Sequence, residues 1–146
     1  MKLKILFAIL TAGLLRTVSA AETNQPAVIL IDHAKVAATY AKGGSLLANN
    51  EFKVSAGRRD APGPVELHER DTDIFYILEG SATFITGGKI VEPTTISPGE
   101  IHGKEIIGGE PQHLVKGDVI IIPRGVPHWF KEVSGPFLYH VVKVTK

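Results

Sequence analysis

The sequence predicts an all-β domain, either a sandwich or a barrel, preceded by one short helix. Short apolar or β-branched runs follow one another from residue 52 onward. Glycine or proline separates these runs repeatedly, for example at Gly63-Pro64, at Gly80 and at Gly117. Many short strands with regular turn signals favour this class over alternating strand and helix units.

The first twenty residues have the pattern of a secretory signal peptide. Lys2 and Lys4 precede an apolar run over residues 5–15, and small residues at 18–20 suit a signal peptidase. An apolar helix of this length is about 16 Å long, too short to span about 30 Å of hydrocarbon. We therefore expect removal of residues 1–20 and export to the periplasm or the medium. An uncleaved membrane anchor is the alternative.

Composition excludes several classes of function. Three of the 16 Lys and Arg residues precede residue 21, so the mature chain has 13 of them against 15 Asp and Glu. This slight acidic excess provides no basic surface for nucleic acid or for an anionic membrane. The chain has no cysteine, which excludes disulfides and thiolate metal ligands.

Residues 21–50 are expected to form an N-terminal leader with a short helix, and residues 51–146 the barrel domain. Asp32 is suited to cap a helix over residues 33–42, and Gly43-Gly44 to end it. The predicted strands follow, in the runs 52–54, 74–78, 82–86, 119–122 and 137–144.

Two of these runs are apolar on both faces, which suggests that the outer face of the sheet is covered. Run 74–78 has Phe75 and Ile77 on one face and Tyr76 between apolar neighbours on the other, and run 119–122 is similar. A strand with one face in solvent would alternate with polar residues. We expect the N-terminal segment or a second subunit of a homodimer to provide the cover.

A charged cluster at residues 66–73 suggests a metal site. If residues 65–68 are extended, Glu66 and His68 point to the same face. A turn at residues 70–72 would return Asp73 beside His68, and one imidazole with two carboxylates suits a divalent first-row metal. A solvated turn is the alternative interpretation, and it is the one we adopt for residues 69–71.

A rigid turn places a second histidine, His128, at the start of a strand. The turn runs from Pro123 to Pro127 and follows the isoleucine-rich run 119–122. Rigidity matters because a metal site must hold its ligands in position. A single histidine on an apolar strand is more often a core residue, so the assignment of His128 depends on the pairing of the two clusters.

The two clusters resemble the two motifs of the cupin superfamily. The second motif, G-x5-P-x-G-x2-H-x3-N, is matched at Gly117, Pro123, Gly125 and His128, with Glu132 at the position of the asparagine. This resemblance extends over roughly residues 52–146.

The first motif, G-x5-H-x-H-x3–4-E-x6-G, is matched less closely. Counting back from Gly80 places Asp73 at the glutamate, His68 at the second histidine and Glu66 at the first histidine. Gly63 lies close to the position of the leading glycine but not at it. Both substituted residues are competent ligands, although aspartate is one methylene shorter than glutamate.

The resemblance implies a double-stranded β-helix, or jelly-roll barrel, with one divalent metal ion held by Glu66, His68, Asp73 and His128. This oxygen-rich set favours Fe, Mn or Zn, with Ni possible. It further implies a metal-dependent oxygenase, isomerase or lyase acting on a small organic substrate. The alternative is a non-catalytic barrel that binds a sugar or another small molecule, with a structural metal or none.

Three further histidines are expected to be surface or packing residues. We place His102 in an exposed loop, His113 at the surface, and His140 in core or edge packing. No residue of the sequence is singled out as a catalytic base.

Overall fold

The computed structural model describes residues 27–146, so the signal peptide expected over residues 1–20 lies outside the described chain. The elements in this range are, in chain order, α1 His33–Tyr40, β1 Gly44–Ala48, β2 Phe52–Arg59, β3 Val65–His68, β4 Asp71–Thr86, β5 Lys89–Val91, β6 Thr94–Ser97, β7 Glu100–Gly103, β8 Glu105–Ile107, β9 Glu110–Val115, β10 Val119–Ile122 and β11 His128–Thr145. All strand pairs are antiparallel. The predicted all-β fold with one short N-terminal helix is confirmed.

Nine of the strands form one curled sheet that is organised around β4 and β11. These two long strands pair with each other from His128 opposite Thr86 to Thr145 opposite Asp71. β4 also pairs with β9 and β10, and β11 also pairs with β2 and β3. β5 and β8 form a separate two-stranded sheet. The two long strands therefore connect the rest of the barrel wall.

The sequence predicted two strands, 74–78 and 82–86, where the structure has the single strand β4. Gly80 has a φ of +79°, which glycine adopts readily. A Cβ atom there would lie 2.8 Å from the Pro136 carbonyl oxygen. β11 is irregular at the same level, between Ser134 and Leu138. Both strands bend together and stay paired, so this glycine marks a bend and not a strand end.

Helix α1 is shorter than predicted and contacts the sheet through Tyr40. Its capping residue is Asp32, as predicted, whose carboxylate accepts a hydrogen bond from the Lys35 N–H at 3.0 Å. The Tyr40 hydroxyl lies 3.0 Å from Nδ1 of His140 on β11. β1 follows within residues 21–50, where the sequence predicted no strand; Leu46 is its only buried side chain.

Protonation of His140 should weaken this part of the fold, because burial lowers the pKa of His140. A depressed pKa means that the stabilisation is present above the unfolded-state pKa of about 6.5 and is lost as the pH falls below it. The free energy of unfolding of the wild type should fall between about pH 8 and about pH 5.5. We expect this fall to be smaller in His140→Asn, which cannot titrate, by at most about 1 kcal/mol. Urea denaturation at each pH measures this. A difference between the two proteins that is constant with pH would contradict the prediction.

The barrel interior is filled by aromatic side chains. Phe84 is fully buried and its ring centroid lies 4.5 Å from that of Phe130. Phe75 stacks on Phe130 with a centroid distance of 5.8 Å, and Phe137 and Tyr139 complete the group. This aromatic core borders the buried ring of His128, whose centroid lies 5.8 Å from that of Phe84.

The outer face of β4 and β10 is apolar and exposed in the described chain. Tyr76, Val119 and Ile121 are 47%, 60% and 62% exposed, and the two strands pair with each other. Helix α1 packs on β1 and β2 instead. The cover expected from the sequence is not found among residues 27–146, and a second subunit stays a prediction. Within this range no helix has the length and apolar character needed to cross a membrane.

Candidate metal centre

Two histidines and two carboxylates meet inside the barrel. One nitrogen or oxygen atom from each of Glu66, His68 and His128 lies within 4.8 Å of the others. Asp73 lies beside them, with Oδ2 3.4 Å from His68 Nε2 and 3.9 Å from His128 Nε2. The structure thus brings together the four residues selected from the sequence, and their role as ligands stays a prediction.

Three strands position these side chains. Glu66 and His68 alternate on β3 and therefore share a face. His128, the first residue of β11, stands opposite Glu66. Asp73 comes from β4, which makes no ladder with β3, so the chain crosses the barrel between His68 and Asp73. The Gly125 N–H donates to the His68 carbonyl at 2.7 Å and links the two sequence clusters directly.

His128 presents an unpartnered lone pair to this cluster. Its Nδ1–H donates to the Val126 carbonyl at 3.1 Å, because a carbonyl can only accept. Nε2 is buried and has no hydrogen-bond partner. Burial lowers the pKa of His128, although the bond to Val126 and the carboxylate of Asp73 oppose this shift. The ring is therefore held neutral, with its free lone pair inside the cluster.

His68 is oriented by Glu100 on β7. The Glu100 carboxylate accepts a hydrogen bond from His68 Nδ1, so Nε2 faces the cluster. A carboxylate behind the distal nitrogen is the arrangement that orients metal-binding histidines. Burial lowers the pKa of His68, but the nearby carboxylates of Asp73 and Glu100 raise it further, and the net shift is upward.

Glu66 is fixed by Arg59 from strand β2, which is separated from β3 by β11 in the sheet. The guanidinium donates to Glu66 Oε1 at 2.9 Å and to the Tyr139 hydroxyl at 3.2 Å. The other carboxylate oxygen, Oε2, lies 3.6 Å from His68 Nε2. Burial raises the pKa of Glu66, but Arg59 together with His128, Lys143 and His68 lowers it further, so the pKa falls below its usual range and Glu66 stays ionised. One oxygen is thereby held in place while the other faces the cluster.

Asp73 is the most deeply buried of the carboxylates, with its side chain 1% exposed. Its Oδ2 accepts a hydrogen bond from the Lys143 ammonium at 2.5 Å, whereas Oδ1 has no partner. Burial raises the pKa of Asp73, but the contacts with His68 and Lys143 together lower it further, and the pKa falls below its usual range.

The spacing of these atoms fits a divalent ion. Two ligand atoms that are each about 2.1 Å from one ion can be at most about 4.2 Å apart. The distances from His68 Nε2 to Glu66 and Asp73 and from His128 Nε2 to Asp73 are 3.6, 3.4 and 3.9 Å and lie below this limit, while the Glu66, His68 and His128 atoms lie within 4.8 Å of one another. The unpartnered His128 Nε2 and Asp73 Oδ1 point to the same conclusion, since buried polar atoms normally have partners.

Two expectations for nearby residues were wrong. Asp71 was assigned to a solvated turn with residues 69 and 70, but it is 3% exposed. Its carboxylate accepts hydrogen bonds from Lys53 at 2.7 Å and from Thr145 at 2.7 Å, because β4 already begins at Asp71, inside the predicted turn. His102 was expected in an exposed loop, but it is partly buried on β7 opposite Glu66.

Sequence reasoning missed three residues that contact the cluster: Arg59, Glu100 and Lys143. Lys143 had a usable signal, since it alternates with Phe137, Tyr139 and Val141 along β11 and therefore shares their inward face. Glu100 follows a Pro-Gly turn in a segment that lacks the apolar pattern of a strand. Its position opposite His68 depends on the pairing of β7 with β3, which local sequence does not encode.

The fold and the cluster define a β-barrel protein with an internal centre of histidines and carboxylates. The family model described as Cupin matches residues 50–145, and the chain belongs to the cupin family. The predicted double-stranded β-helix is thereby confirmed, and cupins commonly bind a divalent metal.

Solved structures with the same fold are distant in sequence. The protein BH2720 of Bacillus halodurans is 11% identical, with a TM-score of 0.55, over 86% of this chain and 85% of that one. The DMSP lyase DddQ of Ruegeria pomeroyi is 20% identical, with a TM-score of 0.51, over 71% of this chain. The match spans only 46% of the lyase. No curated protein matches the chain.

Proposed function

We propose that this cupin binds one divalent metal ion, Fe, Mn or Zn, through His68, His128, Asp73 and Glu66, and that it is an enzyme acting on a small organic molecule. The observation that carries the proposal is the buried Nε2 of His128. A neutral imidazole nitrogen without a hydrogen-bond partner, beside two ionised carboxylates, is a ligand set suited to these metals.

The residues behind the ligands support the same proposal. Val126 fixes the tautomer of His128, Glu100 orients His68, and Arg59 holds Glu66. Such outer contacts determine ligand orientation and commonly change metal affinity by about 10–100-fold. A cluster that formed only a structural ion pair would not need a free lone pair on a deeply buried histidine.

The surroundings favour a small ligand that approaches from one side. His68, Asp73 and His128 are buried, whereas Glu66 and Glu100 are 24% and 29% exposed on their side chains. The aromatic rings of Phe75 and Phe84 pack against the His128 ring. A bound metal ion would supply Lewis-acid or redox chemistry, and the polar side chains at the open face would orient the ligand.

The first test is the metal content of the purified mature protein without an affinity tag. We expect close to one first-row metal ion per chain, and a loss of about tenfold or more in His68→Ala and His128→Ala, because each removes a ligand. His113→Ala is the matched control, since His113 is exposed on β9. Elemental mass spectrometry measures all four proteins.

Equally low metal in the wild type and both variants, after incubation with Fe²⁺, Mn²⁺ and Zn²⁺, would count against the proposal. If the metal is bound, oxygen uptake and hydrolysis or elimination assays with small organic acids and sugars test for turnover. A metal-loaded protein without turnover would favour the alternative, a non-catalytic barrel that binds a small molecule.

A further inference from the structure

We propose that Lys143 is a built-in cation that occupies the ligand atoms of this centre and competes with the metal ion for them. The inference rests on the proposed metal-binding function and extends it. It makes Lys143 the residue that limits metal affinity.

The contacts of Lys143 are with the atoms that a metal would use. Its Nζ lies 2.6 Å from His68 Nε2 and 2.5 Å from Asp73 Oδ2. An ammonium group has three donors and no lone pair, so His68 Nε2 must be the acceptor of the first contact. A ring nitrogen has a single lone pair, and the pair that accepts from Lys143 cannot bind a metal at the same time.

Arg59 shows that a cation beside the centre need not compete. Its guanidinium binds Glu66 Oε1, packs over the ring of Phe130 at 4.4 Å and leaves the other glutamate oxygen free. Lys143, in contrast, engages the atoms of His68 and Asp73 that face the cluster. The two cations therefore have different effects: Arg59 positions a ligand, whereas Lys143 blocks the His68 nitrogen and also occupies one oxygen of Asp73.

The position of Lys143 is fixed by the sheet. It stands directly opposite Asp73 on β4 and opposite Lys53 on β2, on the inward face of β11. Its side chain is 22% exposed, so it has a route to solvent and can leave the cluster without unfolding of β11. Two carboxylates, Glu66 and Asp73, lie 3.6 and 3.4 Å from the His68 Nε2 atom that Lys143 contacts.

The test compares Zn²⁺ binding to metal-free wild type, Lys143→Met and Lys143→Gln by calorimetry. We expect each variant to bind Zn²⁺ about tenfold more tightly, because a like charge next to the ion has been removed. Lys143→Gln retains a hydrogen-bond donor for Asp73, and it replaces Lys143→Met in the test if Lys143→Met does not fold. Lys143→Arg keeps the charge and should bind Zn²⁺ no more tightly than the wild type.

Lys53→Met is the matched control for net charge. Lys53 stands next to Lys143 across the strand pair but binds Asp71 and does not contact His68 or Asp73. We expect its Zn²⁺ affinity to change by less than about twofold, since a partly exposed charge is screened. Melting temperatures give a second readout: Zn²⁺ should stabilise Lys143→Met more than it stabilises the wild type.

The possible failures are distinguishable. If the Lys143 variants bind Zn²⁺ no more tightly than wild type, while His128→Ala abolishes binding, the competition is overturned and the metal site stands. If no variant binds Zn²⁺ above the level of His128→Ala, the proposed metal-binding function fails and the competition fails with it. An equal gain in Lys53→Met would mean that general charge, and not contact with the ligands, is responsible, which also overturns the inference.

Discussion

Asp73→Asn is expected to lower the free energy of unfolding of the metal-free protein by about 3 kcal/mol. Asp73 is almost fully buried, and its carboxylate is the shared partner of the Lys143 ammonium and the His68 ring. Removing one member of a buried ion pair leaves the other without its counter-charge, which commonly costs about 3–5 kcal/mol. The lower end applies here because Lys143 is partly exposed and can turn toward water.

Urea denaturation of metal-free proteins at neutral pH measures this loss. Asp60→Asn is the control, because Asp60 is an exposed carboxylate paired with Arg58, and such pairs contribute about 1 kcal/mol at most. The double variant Asp73→Asn with Lys143→Met should lose less than the two single variants together, by about 1 kcal/mol or more. Additive losses would mean that the two side chains are not coupled.

Phe84→Ala is expected to lower the free energy of unfolding by about 3–5 kcal/mol, the usual cost of removing a buried aromatic ring. Phe84 has no exposed surface. Its ring packs against Phe130, against Phe75 at a centroid distance of 6.0 Å and against the His128 ring at 5.8 Å. Loss of the ring leaves a cavity between the aromatic core and the candidate metal site.

Ile107→Ala is the matched control for Phe84→Ala, because Ile107 is 61% exposed on β8. A surface truncation of this kind usually changes stability by about 0.5 kcal/mol or less. Thermal and urea unfolding of the two variants give the comparison. A loss below about 1.5 kcal/mol for Phe84→Ala would show that the aromatic core collapses around the missing ring, contrary to the rigid packing described above.

The fold could be predicted because its signals are local. Turn residues and alternating side chains define strands, and the second cluster combines several of them within a few residues of His128. The boundaries at Gly80 and at β1 could not be predicted, because they depend on partners. Gly80 stays in a strand since β11 bends with it, and β1 exists through its pairing with β2.

The sequence could predict residues of the cluster only at the positions that the motif spacing defines. His68, Asp73 and His128 come from positions that are fixed relative to glycine and proline. The cationic neighbours follow from tertiary pairing instead: Lys143 enters because β11 lies opposite β4, and Arg59 because β2 lies beside β11. The outer face of the sheet shows a different limit of prediction from sequence. Apolar residues on β10 predict a surface that prefers burial, but they do not identify what buries it.

The length of β11 has a consequence for the order in which the protein can fold. This strand carries His128 at its first residue and Lys143 near its last, and Lys143 contacts Asp73 across seventy residues of sequence. Pairing between such distant segments slows folding, because a long loop must close before any contact is gained. Nearly the whole domain must therefore be present before β2 and β4 find their shared partner. The chain has no native barrel until then, and we expect its cluster of histidines and carboxylates to form late.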